Sequence, residues 1–328
     1  MCTMPAPGHI MKDNTKAVAD IFIPQRADPY VCRYGESYYF TASVPEYDRI
    51  VIRRAGTLKG LRDAQEVCAW RKHDEGDMSF HVWAPELHLI DGRYYIYFAS
   101  SRKDDIWALR PWVLACKGSD PLADEWEELG MMQPADNDIY SFRAFSLDAT
   151  ILENRGEMYF LWAEKVSVGI QISNIYIARM ESPTKLATPQ VLLTTPDYEW
   201  ERVNIWVNEG PAAIHHDGRI FLTYSASATG KEYCMGMLSI GEDEDLLDPR
   251  AWRKEKEPVL AADEKMGFFG PGHNSFVSTP EGDVCVFHAR NYADITGDPL
   301  YDPNRHAYVM RLLWRDGKPV FNYENCFV

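Results

Sequence analysis

Five acidic or imidazole side chains recur along the chain at a regular spacing. They are Asp28, Glu86, Asp148, Glu209 and His273, and successive members lie 58, 62, 61 and 64 residues apart. If the fold brings them to one place, the four carboxyl groups repel one another, which raises the pKa of some of them. Carboxyl groups whose pKa values differ divide acid and base roles at neutral pH. We therefore interpret these positions as a catalytic site. The alternative for each single residue is that its side chain bonds to backbone amides at the start of a strand.

The sequence around each of these residues is typical of a β-hairpin. A short apolar run follows the polar residue, then a turn with a glycine, then a run in which aromatic and aliphatic residues alternate. The turn glycines are Gly35, Gly92, Gly156, Gly218 and Gly282. Pairs such as Asp-Gly between two alternating runs are a strong hairpin signal, so each repeat is predicted to contain one hairpin.

The repeat, with further strand-like runs between the hairpins, predicts an all-β fold. Four short antiparallel strands per repeat are the content of a propeller blade. We predict a single domain over residues 1–328, a five-bladed β-propeller with inner strands beginning near residues 28, 86, 148, 209 and 273. A two-sheet sandwich is the alternative, but it does not predict equal repeats. Since inner strands line the central channel of a propeller, the five side chains should converge there.

Carboxyl groups at such a centre suit the hydrolysis of sugars. Two of them on either side of a glycosidic bond are sufficient, one protonating the leaving oxygen and the other activating water or attacking directly. The chain also contains 10 Trp and 18 Tyr, whose rings can stack on sugars. The residues alone therefore favour a glycosidase acting on an oligosaccharide. A sugar-binding or protein-interaction propeller without catalysis is the alternative, and it needs no cluster of axial carboxyl groups.

Four motifs at these positions resemble those of glycoside hydrolase family 43. They are Ala27-Asp28-Pro29-Tyr30, Trp83-Ala84-Pro85-Glu86, Leu147-Asp148-Ala149 and Asn208-Glu209-Gly210-Pro211, and the resemblance spans roughly residues 20–325. It points to the α-L-arabinofuranosidases of the family, which are five-bladed propellers. It implies an inverting hydrolase that releases L-arabinofuranose from α-L-arabinofuranosides or arabino-oligosaccharides. β-Xylosidases and endo-arabinanases share the motifs and remain alternatives.

The resemblance also implies a role for each of three carboxyl groups. Asp28 is the general base, which activates a water molecule, and Glu209 is the general acid. Asp148 orients Glu209 and, as an ionised neighbour, raises its pKa. Removing any of these three charges should leave the thermal stability unchanged or raise it, because repulsion is relieved.

Four further residues are predicted to bind the substrate or support the site. Trp83 should stack on a sugar, although a core tryptophan is the alternative. Glu86 stands where the family often has aspartate, and we assign it a structural or substrate-binding role. The resemblance implies that Arg290 contacts the sugar and that His273 holds a central ion, such as calcium, or a water molecule. No cofactor is expected for the chemistry itself.

Composition excludes several classes of partner and location. The 34 basic and 49 acidic residues give a net charge of −15, which disfavours nucleic acid and anionic membranes as partners. The seven cysteines form no Cys-x-x-Cys pair, and we predict reduced thiols. Residues 1–16 lack the apolar core of a signal peptide. We therefore predict a cytoplasmic enzyme acting on imported oligosaccharides, whose oligomeric state the sequence leaves open.

Overall fold

The computed structural model describes residues 20–167 and 169–327. Strands make up nearly all the regular structure of these residues. Between the strands lie four short 3₁₀ helices, Lys59–Arg62, Glu199–Glu201, Pro299–Tyr301 and Tyr323–Asn325. No helix within the two described ranges is long and apolar enough to span a membrane. The all-β prediction is confirmed.

The strands are numbered in chain order. The first eight are β1 Ala27–Tyr34, β2 Ser37–Ser43, β3 Arg49–Ala55, β4 Val67–Arg71, β5 Phe80–Ile90, β6 Arg93–Arg102, β7 Asp105–Cys116 and β8 Trp126–Met131. The next nine are β9 Ser146–Asn154, β10 Glu157–Lys165, β11 Ile172–Ser182, β12 Lys185–Leu186, β13 Val191–Thr194, β14 Trp206–His216, β15 Arg219–Ala226, β16 Cys234–Gly241 and β17 Arg253–Lys254. The last six are β18 Phe269–Thr279, β19 Gly282–Arg290, β20 His306–Arg311, β21 Leu313–Arg315, β22 Lys318–Val320 and β23 Cys326–Phe327.

Hairpins form at all five turn glycines. They join β1 to β2, β5 to β6, β9 to β10, β14 to β15 and β18 to β19, each as an antiparallel pair. In three of the turns, Asp91-Gly92, Arg155-Gly156 and Asp217-Gly218, both residues have positive φ, between 47° and 81°. Two-residue turns of this kind match the twist of the flanking strands, and glycine adopts a positive φ without steric cost. The hairpin prediction is confirmed.

The hairpins belong to sheets of mostly antiparallel strands. Three sheets have four strands each, in the orders β1-β2-β3-β4, β5-β6-β7-β8 and β18-β19-β20-β23. The third and fourth repeats share one nine-stranded sheet, in which β11 and β14 are parallel at Ile172–Trp206 and Ser173–Val207. These two repeats are therefore joined edge to edge by a short parallel bridge.

The first strands of the five hairpins contact one another in cyclic order. β1 contacts β5, β5 contacts β9, β9 contacts β14, β14 contacts β18, and β18 returns to β1. An antiparallel bridge between Ile23 and Ala307 also links the two ends of the described chain. Between neighbouring sheets the apolar faces pack closely, as in the contact of Tyr97 with Phe160, whose ring centroids lie 5.7 Å apart. The starts of all five repeats are thus brought together.

Glu164, near the end of β10, holds the segment that leads into β9. Its buried carboxylate accepts hydrogen bonds from the backbone amides of Phe142, Arg143 and Ala144 at 2.8–3.0 Å. It also accepts one from the indole nitrogen of Trp162 at 2.8 Å. Removing a buried charged acceptor costs more free energy than removing an exposed one, because donors at the surface can bond to water instead. The path of the chain into β9 therefore depends on this carboxylate.

Replacing Glu164 by alanine should lower the free energy of unfolding by about 3 kcal/mol, because four donors lose their acceptor. Urea denaturation followed by tryptophan fluorescence measures the change. Glu157→Ala is the matched control, because this exposed carboxylate at the start of the same strand pairs with Arg179 at 3.5 Å. Its loss should cost less than about 1 kcal/mol. Equal losses in the two variants would contradict the role given to Glu164.

Candidate active site

A cavity of about 610 Å³ opens among the first strands of the hairpins. Four of the five recurring side chains line it, namely Asp28, Asp148, Glu209 and His273. Its walls carry the aromatic rings of Trp83, Trp107 and Phe145. The volume is in the usual range for a small-molecule site, and the combination of aromatic walls with a few polar groups suits a sugar.

The backbone beneath these side chains departs from regular strand geometry. Asp28, Asp148 and His273 have φ angles of 51°, 54° and 42°, in the left-handed region. The pairing register of β1, β9, β14 and β18 with their hairpin partners also shifts within these strands. Positive φ is uncommon outside glycine, and a bulge changes the direction in which a side chain points. The distortion is therefore concentrated where the strands present their polar groups to the cavity.

Asp28 is a buried carboxylate surrounded by polar and cationic groups. Its Oδ2 accepts a hydrogen bond from Ser43 at 2.6 Å, and its Oδ1 lies 3.5 Å from Nη1 of Arg305 and 3.3 Å from Nδ1 of His273. Burial by itself raises the pKa of Asp28, but His273 and the Arg305 guanidinium outweigh burial. The pKa of Asp28 therefore lies well below its ordinary value, and the group is ionised at neutral pH.

His288 completes this environment as a neutral ring. Its Nδ1 accepts a hydrogen bond from the backbone amide of Asp28 at 3.0 Å, and burial lowers its pKa to about 3. Its ring stacks on Tyr233, with centroids 5.6 Å apart and planes 8° from parallel. His288 therefore orients Asp28 through the backbone and carries no charge of its own at neutral pH.

Asp148 and Glu209 form a second pair of carboxyl groups with the opposite behaviour. Burial raises the pKa of Asp148 well above its ordinary value, and the charges of Glu209 and Asp28 add to the shift. Burial also raises the pKa of Glu209 to about 7; the Tyr233 hydroxyl, which donates to Oε1 at 2.8 Å, opposes this, and Asp28 adds to it. Asp28 is thus ionised at neutral pH, whereas Asp148 and Glu209 retain their protons to a higher pH than ordinary carboxyl groups do.

This arrangement differs from the sequence interpretation in one respect. An ionised Asp148 is predicted to raise the pKa of Glu209, whereas in the structure burial and the charge of Asp28 raise it. Asp148 itself has a raised pKa, because it is buried beside Glu209 and Asp28, and the hydrogen bond from the Gly210 amide opposes this only in part. Asp148 is therefore better suited to hold the strand of Glu209 in place than to supply a negative charge.

Gly210 lets that strand approach the centre closely. Its backbone amide donates a hydrogen bond to Oδ2 of Asp148 at 3.1 Å. Its φ is 55°, and a Cβ at this position would lie 3.1 Å from the ring of His273. A larger residue would meet both backbone strain and a buried ring. The glycine next to Glu209 therefore fixes the spacing between β14, Asp148 and His273.

Of the residues predicted to bind substrate, Trp83 and His273 line the cavity, while Glu86 and Arg290 do not. The carboxylate of Glu86 pairs with Nε2 of His88 at 2.9 Å, and the two side chains share a face of β5 two residues apart. Of the two roles predicted for Glu86, this pairing fits the structural one. Trp83 is 7% exposed, and His81 stacks on it with centroids 4.2 Å apart. Most of its surface is therefore taken up by core packing.

Arg290, predicted to contact the sugar, is buried and does not line the cavity. Its side chain is 1% exposed and pairs through Nε with Asp302 at 3.1 Å. The remaining guanidinium nitrogens donate to the backbone carbonyls of Thr229 at 2.8 Å and Pro299 at 2.6 Å. Because these partners consume its donors, Arg290 holds the segments that bear Thr229 and Leu300, which line the cavity.

Two further residues of the cavity, Arg305 and Trp107, were not predicted from the sequence. Arg305 lies just before β20, lines the cavity, and donates through Nη2 to the Tyr47 hydroxyl at 2.7 Å. Its Nε is buried without a hydrogen-bond partner among the described residues. Trp107, in β7, lines the cavity and is 51% exposed. Neither residue stands at a repeat-equivalent position, so the repeat pattern contains no signal for them.

A calcium ion held by His273 would need several oxygen ligands around it. Calcium takes six to eight oxygen ligands, mostly carboxylates and carbonyls. Nδ1 of His273 instead faces Asp28 at 3.3 Å and Asp148 at 3.7 Å. Over residues 20–167 and 169–327, no three or more His, Cys, Asp or Glu side chains are grouped so that they could hold a metal ion. The side chains around His273 therefore do not fit a calcium site.

Known proteins resemble this chain over most of its length. The "Extracellular exo-alpha-(1->5)-L-arabinofuranosidase" of Streptomyces avermitilis is 42% identical over 98% of this chain and 67% of its own. The "Alpha-L-arabinofuranosidase 43" of Humicola insolens is 46% identical over 91% of this chain and 62% of its own. The crystal structure of an α-L-arabinofuranosidase from Lactobacillus brevis matches with a TM-score of 0.87 at 48% identity, covering 93% of this chain and 96% of that one. This chain thus spans 67% and 62% of the length of the two curated relatives.

The prediction of a cytoplasmic location is wrong, because the Streptomyces avermitilis relative is named an extracellular enzyme. The cysteines that suggested it are indeed free thiols at the six described positions, while Cys2 lies outside the described residues. Four of the six are buried, namely Cys32, Cys116, Cys234 and Cys285. Buried thiols are shielded from oxidation in any compartment, so they carry little information about location. Residues 1–16, the other basis of the prediction, also lie outside the described residues.

The family comparison covers the whole site. The description "Glycosyl hydrolases family 43" applies to a match over residues 21–319. That range contains every residue that lines the cavity, from Asp28 in β1 to Arg305 just before β20. The cavity contains one ionised carboxylate and one carboxyl group that is protonated near neutral pH, the pair that hydrolysis of a glycosidic bond requires. Its aromatic walls suit a sugar ring. The chain belongs to glycosyl hydrolase family 43.

Proposed function

We propose that this chain is an exo-acting α-L-arabinofuranosidase that hydrolyses its substrate with inversion of the anomeric centre. The observation that carries the proposal is the opposed behaviour of three carboxyl groups in one cavity. Asp28 has a lowered pKa, while those of Asp148 and Glu209 are raised. The relatives named above, which cover most of the chain, support arabinofuranose as the sugar.

The same proposal includes the fold at finer detail. We take the chain as one catalytic domain, a five-bladed β-propeller whose inner strands are β1, β5, β9, β14 and β18. The cyclic contacts of these strands support this interpretation, as do the four-stranded meanders of the first, second and fifth repeats. The parallel bridge between β11 and β14 is then an edge contact between the third and fourth blades.

In the proposed mechanism Asp28 acts as the general base. Its carboxylate removes a proton from a water molecule, which attacks the anomeric carbon from the face opposite the leaving group. A carboxylate with a low pKa is a weak base, but it is ionised at any pH at which the acid can be protonated. Arg305 lines the cavity with its Nη1 at 3.5 Å from Oδ1 of Asp28, and is positioned to hold both the carboxylate and a sugar hydroxyl.

Glu209 acts as the general acid in this scheme. With a pKa of about 7 it is largely protonated on the acidic side of neutrality and can donate its proton to the leaving oxygen. Asp148 accepts a hydrogen bond from the Gly210 amide at 3.1 Å and so keeps the neighbouring acid, Glu209, in place. Asp148 is therefore a positioning residue, and Asp28 and Glu209 are the catalytic pair.

A substrate screen tests the function as a whole. Aryl α-L-arabinofuranoside should be hydrolysed with a kcat/KM at least about tenfold above that of aryl β-D-xyloside, because pocket walls discriminate between rings of different shape. Proton NMR early in the reaction should detect β-arabinofuranose before the α anomer. A preference for the xyloside would indicate a β-xylosidase, and internal cleavage of arabinan an endo-acting enzyme. Binding without hydrolysis would indicate a sugar-binding protein, and early α anomer would contradict inversion.

Asp28→Asn, Asp148→Asn and Glu209→Gln should each lower kcat at least about a hundredfold.

The melting temperature at pH 7 should distinguish Asp28→Asn from Asp148→Asn. Because the pKa of Asp28 is lowered, its ionised form stabilises the fold above its unfolded pKa, and Asp28→Asn should reduce Tm by several degrees. Because the pKa of Asp148 is raised, its ionised form destabilises the fold, and Asp148→Asn should maintain or raise Tm.

Calorimetry and steady-state kinetics measure both effects, and Asp136→Asn, at an exposed carboxylate, is the control that should change neither. Wild-type turnover in any of the three variants would remove that residue from the mechanism. A reduced Tm in Asp148→Asn would contradict the repulsion among the carboxyl groups.

Tyr233→Phe should shift the basic limb of the kcat/KM profile to higher pH by about half to one unit. The hydroxyl donates to Glu209 and stabilises its ionised form, so its loss raises the pKa of the acid. The phenyl ring retains the stacking on His288. Tyr97→Phe removes a hydroxyl that donates to the carbonyl of Pro183 and should leave the profile unchanged. A shift to lower pH in Tyr233→Phe would contradict the assignment of Glu209 as the acid.

A further inference from the structure

The proposed general acid, Glu209, follows a buried asparagine in β14. Val207 and Glu209 line the cavity, whereas Asn208 between them does not. Successive side chains of a strand point to opposite faces, so the side chain of Asn208 points away from the cavity. It is 0% exposed. The contacts of Asn208 therefore lie inside the protein, on the side of the strand opposite the acid.

Hydrogen bonds fix both ends of the Asn208 amide. Its Nδ2 donates to Oε1 of Glu201 and to the carbonyl of Val207, each at 3.0 Å. Its Oδ1 accepts a hydrogen bond from the Thr194 hydroxyl at 3.0 Å. A buried amide that uses its donors and its acceptor in this way is held in one orientation. The bonds tie β14 to β13 and to the 3₁₀ helix Glu199–Glu201.

Glu201 is the centre of this group of contacts. Its carboxylate is 0% exposed and pairs with Nζ of Lys254 at 2.8 Å. It also accepts hydrogen bonds from the Tyr224 hydroxyl at 2.8 Å and from the backbone amides of Asp197 and Tyr198 at 2.7 and 2.8 Å. A buried carboxylate is costly unless a cation and donors replace water, and here both are present. Turning Glu201 would break several charge-assisted bonds at once, so it is a rigid support for Asn208.

The backbone at Glu209 needs such support because its pairing with β15 is interrupted there. The register of β14 with β15 shifts directly after Glu209. A bulge disrupts the ladder of backbone hydrogen bonds locally, so side chains must hold the strand in place. On one side of Glu209 the Gly210 amide donates to Asp148, and on the other side Asn208 is held by Glu201. The acid therefore stands between two fixed positions.

We propose that Asn208 and Glu201 are positioning residues that hold the general acid where it can protonate the leaving oxygen. The inference rests on the proposed function and deepens it. Neither residue lines the cavity, so both act through the backbone of β14 and touch no substrate. A general acid must lie within hydrogen-bond reach of the oxygen that it protonates, and small misplacements are costly. A shift of β14 should therefore slow proton donation more than any other step.

Two substrates with different leaving groups separate proton donation from the other steps. A nitrophenyl α-L-arabinofuranoside releases a stable phenolate that needs little protonation, whereas arabinobiose releases a sugar oxygen that needs a proton. Asn208→Ala should lower kcat on arabinobiose at least about tenfold and leave kcat on the nitrophenyl glycoside within about twofold of the wild type. The KM for arabinobiose should change by less than about twofold, because the cavity keeps its lining.

A second, milder variant keeps the test available if Asn208→Ala does not fold. Thr194→Val removes the hydroxyl that donates to Asn208 and keeps the shape of the side chain. It should lower kcat on arabinobiose by about threefold, the scale of one lost hydrogen bond, with the nitrophenyl glycoside unaffected.

Two control variants separate positioning from stability. Asn154, the last residue of β9, is also buried and donates through Nδ2, to the carbonyl of Glu242 at 3.0 Å, but it does not line the cavity. Asn154→Ala should lower Tm and leave the ratio of the two rates unchanged. Glu199→Gln changes an exposed carboxylate in the same 3₁₀ helix as Glu201 and should change neither rate.

Glu209→Gln, measured on the same two substrates, distinguishes this inference from the proposed function. If Glu209→Gln loses no more activity on arabinobiose than on the nitrophenyl glycoside, Glu209 is not the acid and both proposals are overturned. If Glu209→Gln shows the selective loss and neither Asn208→Ala nor Thr194→Val does, only the positioning role is overturned. Equal losses on both substrates in Asn208→Ala, or a selective loss in Asn154→Ala, would also overturn it, since the effect would then not be specific to proton donation.

Discussion

The buried charge of Asp28 is the constraint on which the rest of the site depends. Removing a carboxylate from water is costly unless a cation and hydrogen-bond donors replace the lost hydration. Here Arg305 and Ser43 do so, and Asp28 is held ionised. The same charge acts on Asp148 and Glu209, adding to the effect of burial on their pKa values. One compensated charge thus divides three similar side chains into one ionised carboxylate and two carboxyl groups that retain protons to higher pH.

Compensation of that charge requires the two ends of the chain to meet. Asp28 belongs to the first strand, whereas Arg305 precedes β20 and lies 277 residues away in sequence. The bridge between Ile23 and Ala307 and the contact between β1 and β18 bring these regions together. If the ends were separated, a carboxylate and a guanidinium would both be left without their partner in a buried place, which is strongly destabilising. The ionisation of Asp28 therefore depends on contact between the two ends of the described chain.

The centre and the walls of the cavity are built by different parts of the chain. Bent first strands supply the carboxyl groups, and their positive φ angles at Asp28 and Asp148 are sustained by the packing around them. Segments outside the hairpins supply the walls, and Arg290 holds two of them through its bonds to Thr229 and Pro299. Such a division lets one scaffold keep its chemistry while the walls change the sugar that fits.

The sequence by itself determined the features that depend on neighbouring residues. Strand alternation and Asp-Gly turns are local, so the all-β fold and the five hairpins were predictable, and the equal spacing made Asp28, Asp148 and Glu209 candidates for one centre. Only the tertiary structure decided which groups face one another across the centre. It directed Arg290 to Asp302, and it brought Arg305 to Asp28. The physical reason is that a pKa and a salt bridge depend on distance and burial, which no local pattern of residues specifies.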